Sequence, residues 1–458
     1  MEKLKIGLLP LYIKLYDDTM PERKPINEQY VGKITKLFHE RGAEVVNAPI
    51  CRLESEFREA VRTFEENAVD AIVTLHLAYS PSLESAETLA GTELPIVVLD
   101  TTPSPECAPD SEFDVIRFNH GIHGVQDMCN LLRRNRKKFC IVAGHPEKTD
   151  VIGKALDAVR AARIAWRMKH ARIGLVGEPF AGMGDFQIPY DKLKSLIGMD
   201  VVEFDTSRQY SISVDEIRNE YEACREKYDV TIDIEKFARV ERVGLGVRHW
   251  VDANKLTGLT MSFSAVRDGQ FFDAMPFCEA CKSMERGVGY AGEGDVLTAA
   301  LVGSLLSVYE KTTFCEMFCA DWKNDNIFLS HMGEFNTKCA KVKPRLITKP
   351  FIYSEVGYAT FLSSPMAAGK AVTVTLLPEP DDRFTVLCAN VEMLDVPVDN
   401  TFSGTVNGWF KPGMPVADFL TAYSENGGIH HLSLAYDADP AVIAMFAKYM
   451  GWGFKQLC

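Results

Sequence analysis

No run of about 18 apolar residues occurs anywhere in this 458-residue sequence, so a hydrophobic membrane-spanning helix is not expected. Basic charge is also short: 50 Lys and Arg stand against 63 Asp and Glu, a net charge of −13. That balance argues against nucleic acid or an anionic membrane as partner, because both need a basic footprint. The one basic run, Arg133–Lys138, reads as a solvated helix end. Paired cysteine motifs are lacking too. Twelve cysteines are scattered along the chain, and Cys278 and Cys281 (C-E-A-C) have no second pair at zinc-ribbon distance. Both read as small core residues on one helix, and a reducing, cytoplasmic setting is expected. The N-terminal MEKLKIGLLPLYIKLYDD has its apolar part broken by Pro10 and Lys14, with no small-residue cleavage site after it, and reads as a first strand. There is no low-complexity tract and no repeat of solenoid period.

What remains is an ordinary globular composition, 47% hydrophobic and 25% charged, in a chain too long for one core. Its first part alternates short apolar runs with amphipathic stretches. KIGLLPL (5–11), AEVVNAP (43–49), DAIVTLH (70–76), PIVVLD (95–100) and KFCIVAG (138–144) read as strands, with helices at 28–41, 54–67 and 121–134 between them. A helix over 150–170 leads to RIGLVG (172–177), VVEFD (201–205), helices at 214–227 and 234–255, and LTMSF (259–263). Strand, helix and strand in succession predict parallel sheets. After about residue 320, KVKPRLITKPFIYSEV (341–356), KAVTVTLL, RFTVLCANVEML and HHLSLAY read as strands, PEPDD and NGWFKPG as turns, and helical periodicity returns only at 440–450. The expected fold class is α/β: two Rossmann-like parallel-sheet domains, residues 1–170 and 171–318, followed by a mostly β, barrel-like domain over 319–458.

Gly287, Gly289 and Gly292 in GVGYAGEGD have the G-x-G-x-x-G spacing of a dinucleotide site. That fingerprint needs a strand entering the loop, and PFCEACKSMER just before it is helical in pattern. The glycines therefore read as a tight turn between helices at 276–286 and 295–310, with no nucleotide bound. The turn sets Glu293 at a helix N-terminus, where dipole and free N–H groups favour a carboxylate. Glu316, in TTFCEMFCADW, is a carboxylate among apolar residues, where a lone charge is costly to bury. His331 closes the apolar run IFLSH, and His430 and His431 open a strand after a Gly-Gly turn. Two carboxylates with one or two imidazoles suit a divalent ion of Mn²⁺ type. Because neighbouring strand residues face opposite ways, only one of His430 and His431 is expected at such an ion.

GYAGEGDVLTAAL, FCEMF, LSHMGE and GGIHHLSL occur in that order, with 23 residues from Glu293 to Glu316, 15 more to His331 and 100 more to His431. This C-terminal half resembles the L-arabinose isomerases and, more widely, the L-arabinose/L-fucose isomerase superfamily. The resemblance implies an aldose–ketose isomerase acting on a pentose or 6-deoxyhexose through a cis-enediol. It implies Mn²⁺, or Co²⁺ or Mg²⁺ in its place, on Glu293, Glu316, His331 and His431, with the two glutamates as the catalytic acid/base pair. LHLAYSP, FNHGIHG and the pair Leu15–Tyr16 extend the resemblance into the N-terminal half, although the glutamine three positions before that tyrosine is Ile13 here. They imply substrate contacts from His430, His123 and Tyr16, with His123 reaching an adjacent subunit's site in a homotrimer or homohexamer. Two other readings stand beside it: an epimerase or other metal-dependent sugar enzyme on the same scaffold, and a non-catalytic sugar-binding module.

Overall fold

The computed structural model describes residues 2–354 and 357–458, so the last two residues of the strand-like stretch 341–356 lie outside the described residues. The chain forms two compact units. One runs to Trp166 and takes in Ala444–Gly451; the other comprises Arg167–Ile443 and Trp452–Cys458.

The first unit is built on five strands: β1 (Lys5–Leu11), β2 (Glu44–Asn47), β3 (Ala71–His76), β4 (Ile96–Asp100) and β5 (Phe139–Ala143). They pair in the order β2-β1-β3-β4-β5, all parallel. Central strands β1, β3 and β4 read as almost unbroken apolar runs because helices cover both faces of a parallel sheet. The helix Glu54–Glu66 shows how the sequence drives this packing. Its Phe57, Ala60, Val61 and Phe64 recur at helical spacing and are its buried residues. Phe64 lies so close to Gly7 of β1 that a Cβ there would sit 2.6 Å from its ring. Burying a side chain of this size contributes about 1.5–3 kcal/mol.

The second unit opens with β6 (Arg172–Val176), β7 (Asp200–Glu203), the two-residue β8 (Asp229–Val230), β9 (Gly258–Met261) and β10 (Gly289–Gly292). The order β10-β9-β6-β7 is again parallel. Then come β11 (Thr312–Asp321), β12 (Asn326–Ser330), β13 (Arg345–Pro350), β14 (Tyr358–Ser363), β15 (Gly369–Glu379), β16 (Arg383–Met393), β17 (Gly408–Pro412), β18 (His431–Tyr436) and β19 (Gly453–Gln456). Six of them form a closed antiparallel ring, β15-β18-β11-β12-β17-β16, completed by the pairing of β16 back to β15. β19 extends it in parallel on β16, and β14, β13 and β8 make a small separate sheet. The fold class is therefore parallel-sheet α/β with a barrel-like antiparallel sheet toward the C-terminus. No helix among the described residues is long and apolar enough to cross a membrane.

Three local expectations change. The glycine-rich segment is not a helix–helix turn: Gly289–Gly292 is an edge strand paired with β9. Four residues without alternation carry no strand period, and the glycines at the strand's two ends serve close packing instead. A Cβ at Gly289 would lie 2.2 Å from the carbonyl oxygen of Ala299 in the following helix, Val296–Leu306. NGWFKPG contains β17 and is not only a turn. Val416–Glu425 is a helix within the β-rich region, burying Val416, Phe419 and Tyr423.

Candidate metal centre

β10 runs into the helix Val296–Leu306 through Glu293, Gly294 and Asp295. Glu293 adopts φ 62° and Gly294 φ 90°. A positive φ is uncommon for a residue with a Cβ and marks a backbone held by its surroundings. Here the Glu293 N–H donates to the Met261 carbonyl at 3.1 Å, and the Phe180 N–H donates to the Glu293 carbonyl at 2.9 Å. The Gly294 N–H donates to Thr260 Oγ1 at 3.0 Å, and that hydroxyl donates to the Gly292 carbonyl at 3.1 Å. Gly294 is required twice over, since a Cβ would meet Pro179 Cα at 2.5 Å.

A strand does enter this turn, as a dinucleotide fingerprint requires. Gly289 and Gly292 lie inside the strand, and the helix end carries the carboxylates of Glu293 and Asp295, which oppose a phosphate electrostatically.

The barrel supplies the other groups. Glu316 on β11 stands opposite Ser330 of β12 on one side and His431 of β18 on the other, just before an irregularity at Met317–Cys319. Directly opposed residues in antiparallel strands share a face, so Glu316 and His431 point together. His331 follows β12 at once. One ligand-type atom from each of Glu293, Glu316, His331 and His431 falls within 4.8 Å of the others. His431 Nε2 is 3.2 Å from Glu316 Oε1 and 3.6 Å from Glu293 Oε2, and His331 Nε2 is 3.8 Å from Glu316 Oε1. Ligand atoms about 2.1 Å from one octahedral ion are separated by roughly 3.0–4.2 Å, so this set is close to the spacing a divalent cation needs. Glu293 Oε2, His331 Nε2 and His431 Nε2 are buried and without a hydrogen-bond partner, an arrangement that is costly unless a further group fills the space. By donor set and spacing, the four residues fit a divalent ion.

Both imidazoles are oriented from behind. His431 Nδ1 is 2.9 Å from Asp295 Oδ2, and His331 Nδ1 is 2.9 Å from Glu334 Oε2. Glu334 also accepts the Tyr290 hydroxyl at 3.0 Å and the Gly333 N–H at 2.7 Å. A carboxylate on Nδ1 holds the proton there and leaves the Nε2 lone pair for a metal. Phe186 stacks on His431, rings 5.2 Å apart, and Phe314 meets both imidazoles edge-on.

The electrostatics match the geometry. Burial alone would raise the carboxyls of Glu293 and Glu316, but the facing imidazoles hold both below the usual carboxylate range. Burial alone would lower His331 and His431. Glu334 outweighs it at His331, and Asp295 with the two glutamates outweighs it more strongly at His431, so both lie above the ordinary imidazole value.

His430 precedes β18 and so escapes the alternation that would turn it away. Asp185 Oδ2 accepts its backbone N–H at 3.0 Å and lies 2.6 Å from its Nδ1. Its Nε2 is 3.6 Å from Glu316 and 3.8 Å from Glu293. Tyr16 and His123 belong to the first unit, where the Tyr16 hydroxyl is 3.3 Å from His120 Nε2 and the rings of His120 and His123 lie 6.1 Å apart. Asp295, Glu334 and Asp185 were not singled out from sequence. Asp295 carried a faint signal as the residue before an apolar helix, and Glu334 as the acid three residues after His331.

Residues 197–310 match the L-arabinose isomerase central domain, and residues 311–452 match the L-arabinose isomerase C-terminal domain. L-arabinose isomerase 1 of Bacillus licheniformis is 25% identical over 410 residues, covering 86% of this chain and 81% of its own. L-arabinose isomerase of Shouchella clausii is 24% identical over 463 residues, covering 97% and 92%. That of Shewanella sp. (strain ANA-3) is 23% identical over 446 residues, covering 92% and 87%.

Proposed function

The chain belongs to the L-arabinose isomerase family, and from that premise we propose that it is a divalent-metal-dependent aldose–ketose isomerase working through a cis-enediol. The substrate class is a pentose or 6-deoxyhexose, and the ion is Mn²⁺ or a similar cation held by Glu293, Glu316, His331 and His431. The observation that carries this reading is the convergence of those four side chains with three buried, unpartnered ligand atoms among them.

A bound divalent cation would polarise the sugar carbonyl and stabilise negative charge developing on oxygen. The protein's own groups handle the protons. One glutamate takes the proton from C2 and returns it to C1, while the other accepts the O2 proton and delivers it to O1, so the aldose becomes the ketose without net change. Held below the ordinary carboxylate range, each glutamate is a weak base while it faces the imidazoles. One of them must therefore loosen from its partners during turnover. General acid–base catalysis of this kind contributes about 10²–10⁴-fold. His430, fixed by Asp185, directs Nε2 toward both glutamates and orients a substrate hydroxyl. Tyr16 and His123 make further sugar contacts, His123 from an adjacent subunit of a homotrimer or homohexamer.

The test is to strip metal with chelator, restore Mn²⁺ and follow ketose formation across pentoses and 6-deoxyhexoses, with Glu293→Gln and Glu316→Gln as controls. Metal-dependent ketose formation lost in both variants supports the proposal. A second aldose or ketose with no shift of the carbonyl would make the protein an epimerase, and ligand-induced stabilisation without turnover would make it a binding module. Chains carrying His123→Ala mixed with chains carrying Glu293→Ala should recover activity in hybrids; no recovery removes the trans role of His123.

A further inference from the structure

His430 differs in exposure from the two imidazoles beside it. The side chains of His331 and His431 are 2% and 0% exposed, whereas that of His430 is 36% exposed, so of the three it is the one within reach of a molecule in solution. Its two nitrogens are unequally engaged. Nδ1 is 2.6 Å from Asp185 Oδ2, while Nε2 has no hydrogen-bond partner, the nearest glutamate oxygens lying 3.6 Å away on Glu316 and 3.8 Å away on Glu293. A carboxylate on Nδ1 keeps the proton on that side and leaves a lone pair at Nε2. An imidazole backed by a carboxylate, with its far nitrogen free, has the arrangement of a general base that can later return its proton.

The segment that carries Asp185 is pinned without that contact. The Phe180 N–H donates to the Glu293 carbonyl at 2.9 Å, the Phe186 ring stacks on His431 at 5.2 Å, and Asp185 Oδ2 accepts the His430 backbone N–H at 3.0 Å. The contact to Nδ1 is additional to these ties, and what it fixes is the imidazole ring.

The proposed isomerisation leaves one task without a group. An aldose in solution is closed into a ring in which C1 carries the ring oxygen O5 and a hydroxyl, O1. C2–H in that form is not α to a carbonyl, so neither glutamate can begin the enediol step until the ring opens. Opening requires one proton to leave O1 and one to reach O5, two oxygens on the same carbon, so a single nitrogen can serve both in turn.

We propose that His430 is the catalytic acid–base group that opens the sugar ring, with Asp185 as its positioning residue. The inference rests on the isomerase reading for its substrate. Nε2 takes the proton of O1–H, the O1 electron pair forms the C1=O1 bond as the C1–O5 bond breaks, and O5 receives the proton from Nε2. Atoms and charge balance, and His430 ends as it began. Between the two transfers the imidazole is positively charged, and the Asp185 carboxylate faces that charge across Nδ1.

The test is anomer exchange, which passes through the open chain and needs no ketose. Full-length protein, stripped of metal or loaded with diamagnetic Mg²⁺, is mixed with L-arabinose or L-fucose. NMR saturation transfer between the α- and β-anomer signals is followed, and ketose signals are read separately in the same spectra. Wild type speeds exchange about 10²-fold or more over buffer, and His430→Asn removes that acceleration. Asp185→Asn loses about tenfold or more of it while thermal stability and Mg²⁺ affinity stay near wild type, and Asp185→Glu, which returns a carboxylate, recovers part. No acceleration by wild type in either state overturns the proposal, as does acceleration that survives His430→Asn. Exchange that falls in Asp185→Asn only in step with stability makes Asp185 a structural tie and overturns its part. Catalysed exchange without ketose leaves ring opening standing and removes the isomerase reading; ketose without catalysed exchange does the reverse.

Discussion

Asp295 divides its carboxylate between two duties: Oδ1 accepts the Thr298 amide at 2.8 Å and caps the helix Val296–Leu306, while Oδ2 holds His431 Nδ1 at 2.9 Å. Helix start and imidazole orientation are thereby tied to one side chain. Asp295→Asn can still cap the helix, so the cap itself should lose no more than about 1 kcal/mol. It cannot hold His431 with the same charge, and Mn²⁺ affinity should fall roughly 10–100-fold. Calorimetric titration of both proteins checks this; equal affinities would show that Asp295 serves the helix alone.

Two glycines three residues apart should fail in different ways. A Cβ at Gly289 would lie 2.2 Å from the Ala299 carbonyl oxygen and 2.3 Å from the Gly303 nitrogen, both backbone atoms that cannot step aside. Gly289→Ala should cost about 1–3 kcal/mol or more in urea unfolding. A Cβ at Gly292 would instead meet the His331 ring, 2.7 Å from Cε1. Gly292→Ala is expected to keep more of its stability and lose metal affinity, because the displaced ring carries Nε2 with it. Parallel denaturation and metal titration would expose the idea as wrong if both variants lost the same property.

The buried network around Lys282 should dominate the stability of the helices Val214–Lys227, Ile234–Ala253 and Phe277–Glu285. The ammonium lies 2.7 Å from Glu220 and 3.6 Å from Glu279, and contacts Glu241 more closely still. Removing one member of such a cluster leaves buried charge uncompensated, at about 3–5 kcal/mol. Lys282→Met is expected to show that loss at pH 7. In wild type, burial works to raise Glu279, but Lys282 and the arginines hold it below the usual range, so its contribution is present above the ordinary carboxyl value and fades as pH falls. Burial already raises Glu241 in wild type, and without Lys282 it would titrate higher still, so the deficit should shrink between pH 7 and pH 5. A deficit constant across that interval would refute the account.

Metal binding should be linked to protons with a definite sign. In the metal-free site His331 and His431 lie above the ordinary imidazole value, despite burial, because Glu334, Asp295 and the facing glutamates favour their protonated forms. A metal must displace protons at Nε2, so apparent affinity should climb as pH rises past about 6.5. Stability without metal moves the other way. The histidines contribute fully below about 6.5 and lose that contribution as pH rises through their higher folded values. Glu293 and Glu316, held low against the effect of burial, contribute above about 4.3 and fade as pH falls. Titrations in buffers of different ionisation enthalpy read the proton release directly; none released at pH 6 would contradict the assignment.

Much of this arrangement was open to inspection in one dimension. The apolar run of Lys5–Leu11 and the helical spacing of the buried residues in Glu54–Glu66 follow from local burial, which is written into the residues themselves. The strand Gly289–Gly292 left no such mark, since four residues buried on all sides have no polar face to alternate with. The helix Val416–Glu425 shows only three buried positions between turn-forming segments, too few to stand out.

The candidate site divides along the same line. That Glu293, Glu316, His331 and His431 are chemically able to share a cation is a property of side-chain types in ordered motifs, and residue identity alone carries it. That Asp295 and His431, 136 positions apart, stand 2.9 Å from each other depends on which strands of a closed ring become neighbours, and no local pattern encodes that adjacency. The same is true of Arg23: its charge is plain in the chain, but its burial exists only once the turn Pro21–Arg23 has folded so that the guanidinium meets the Arg117 carbonyl and the Phe118 ring, because desolvation is a property of the whole surrounding volume.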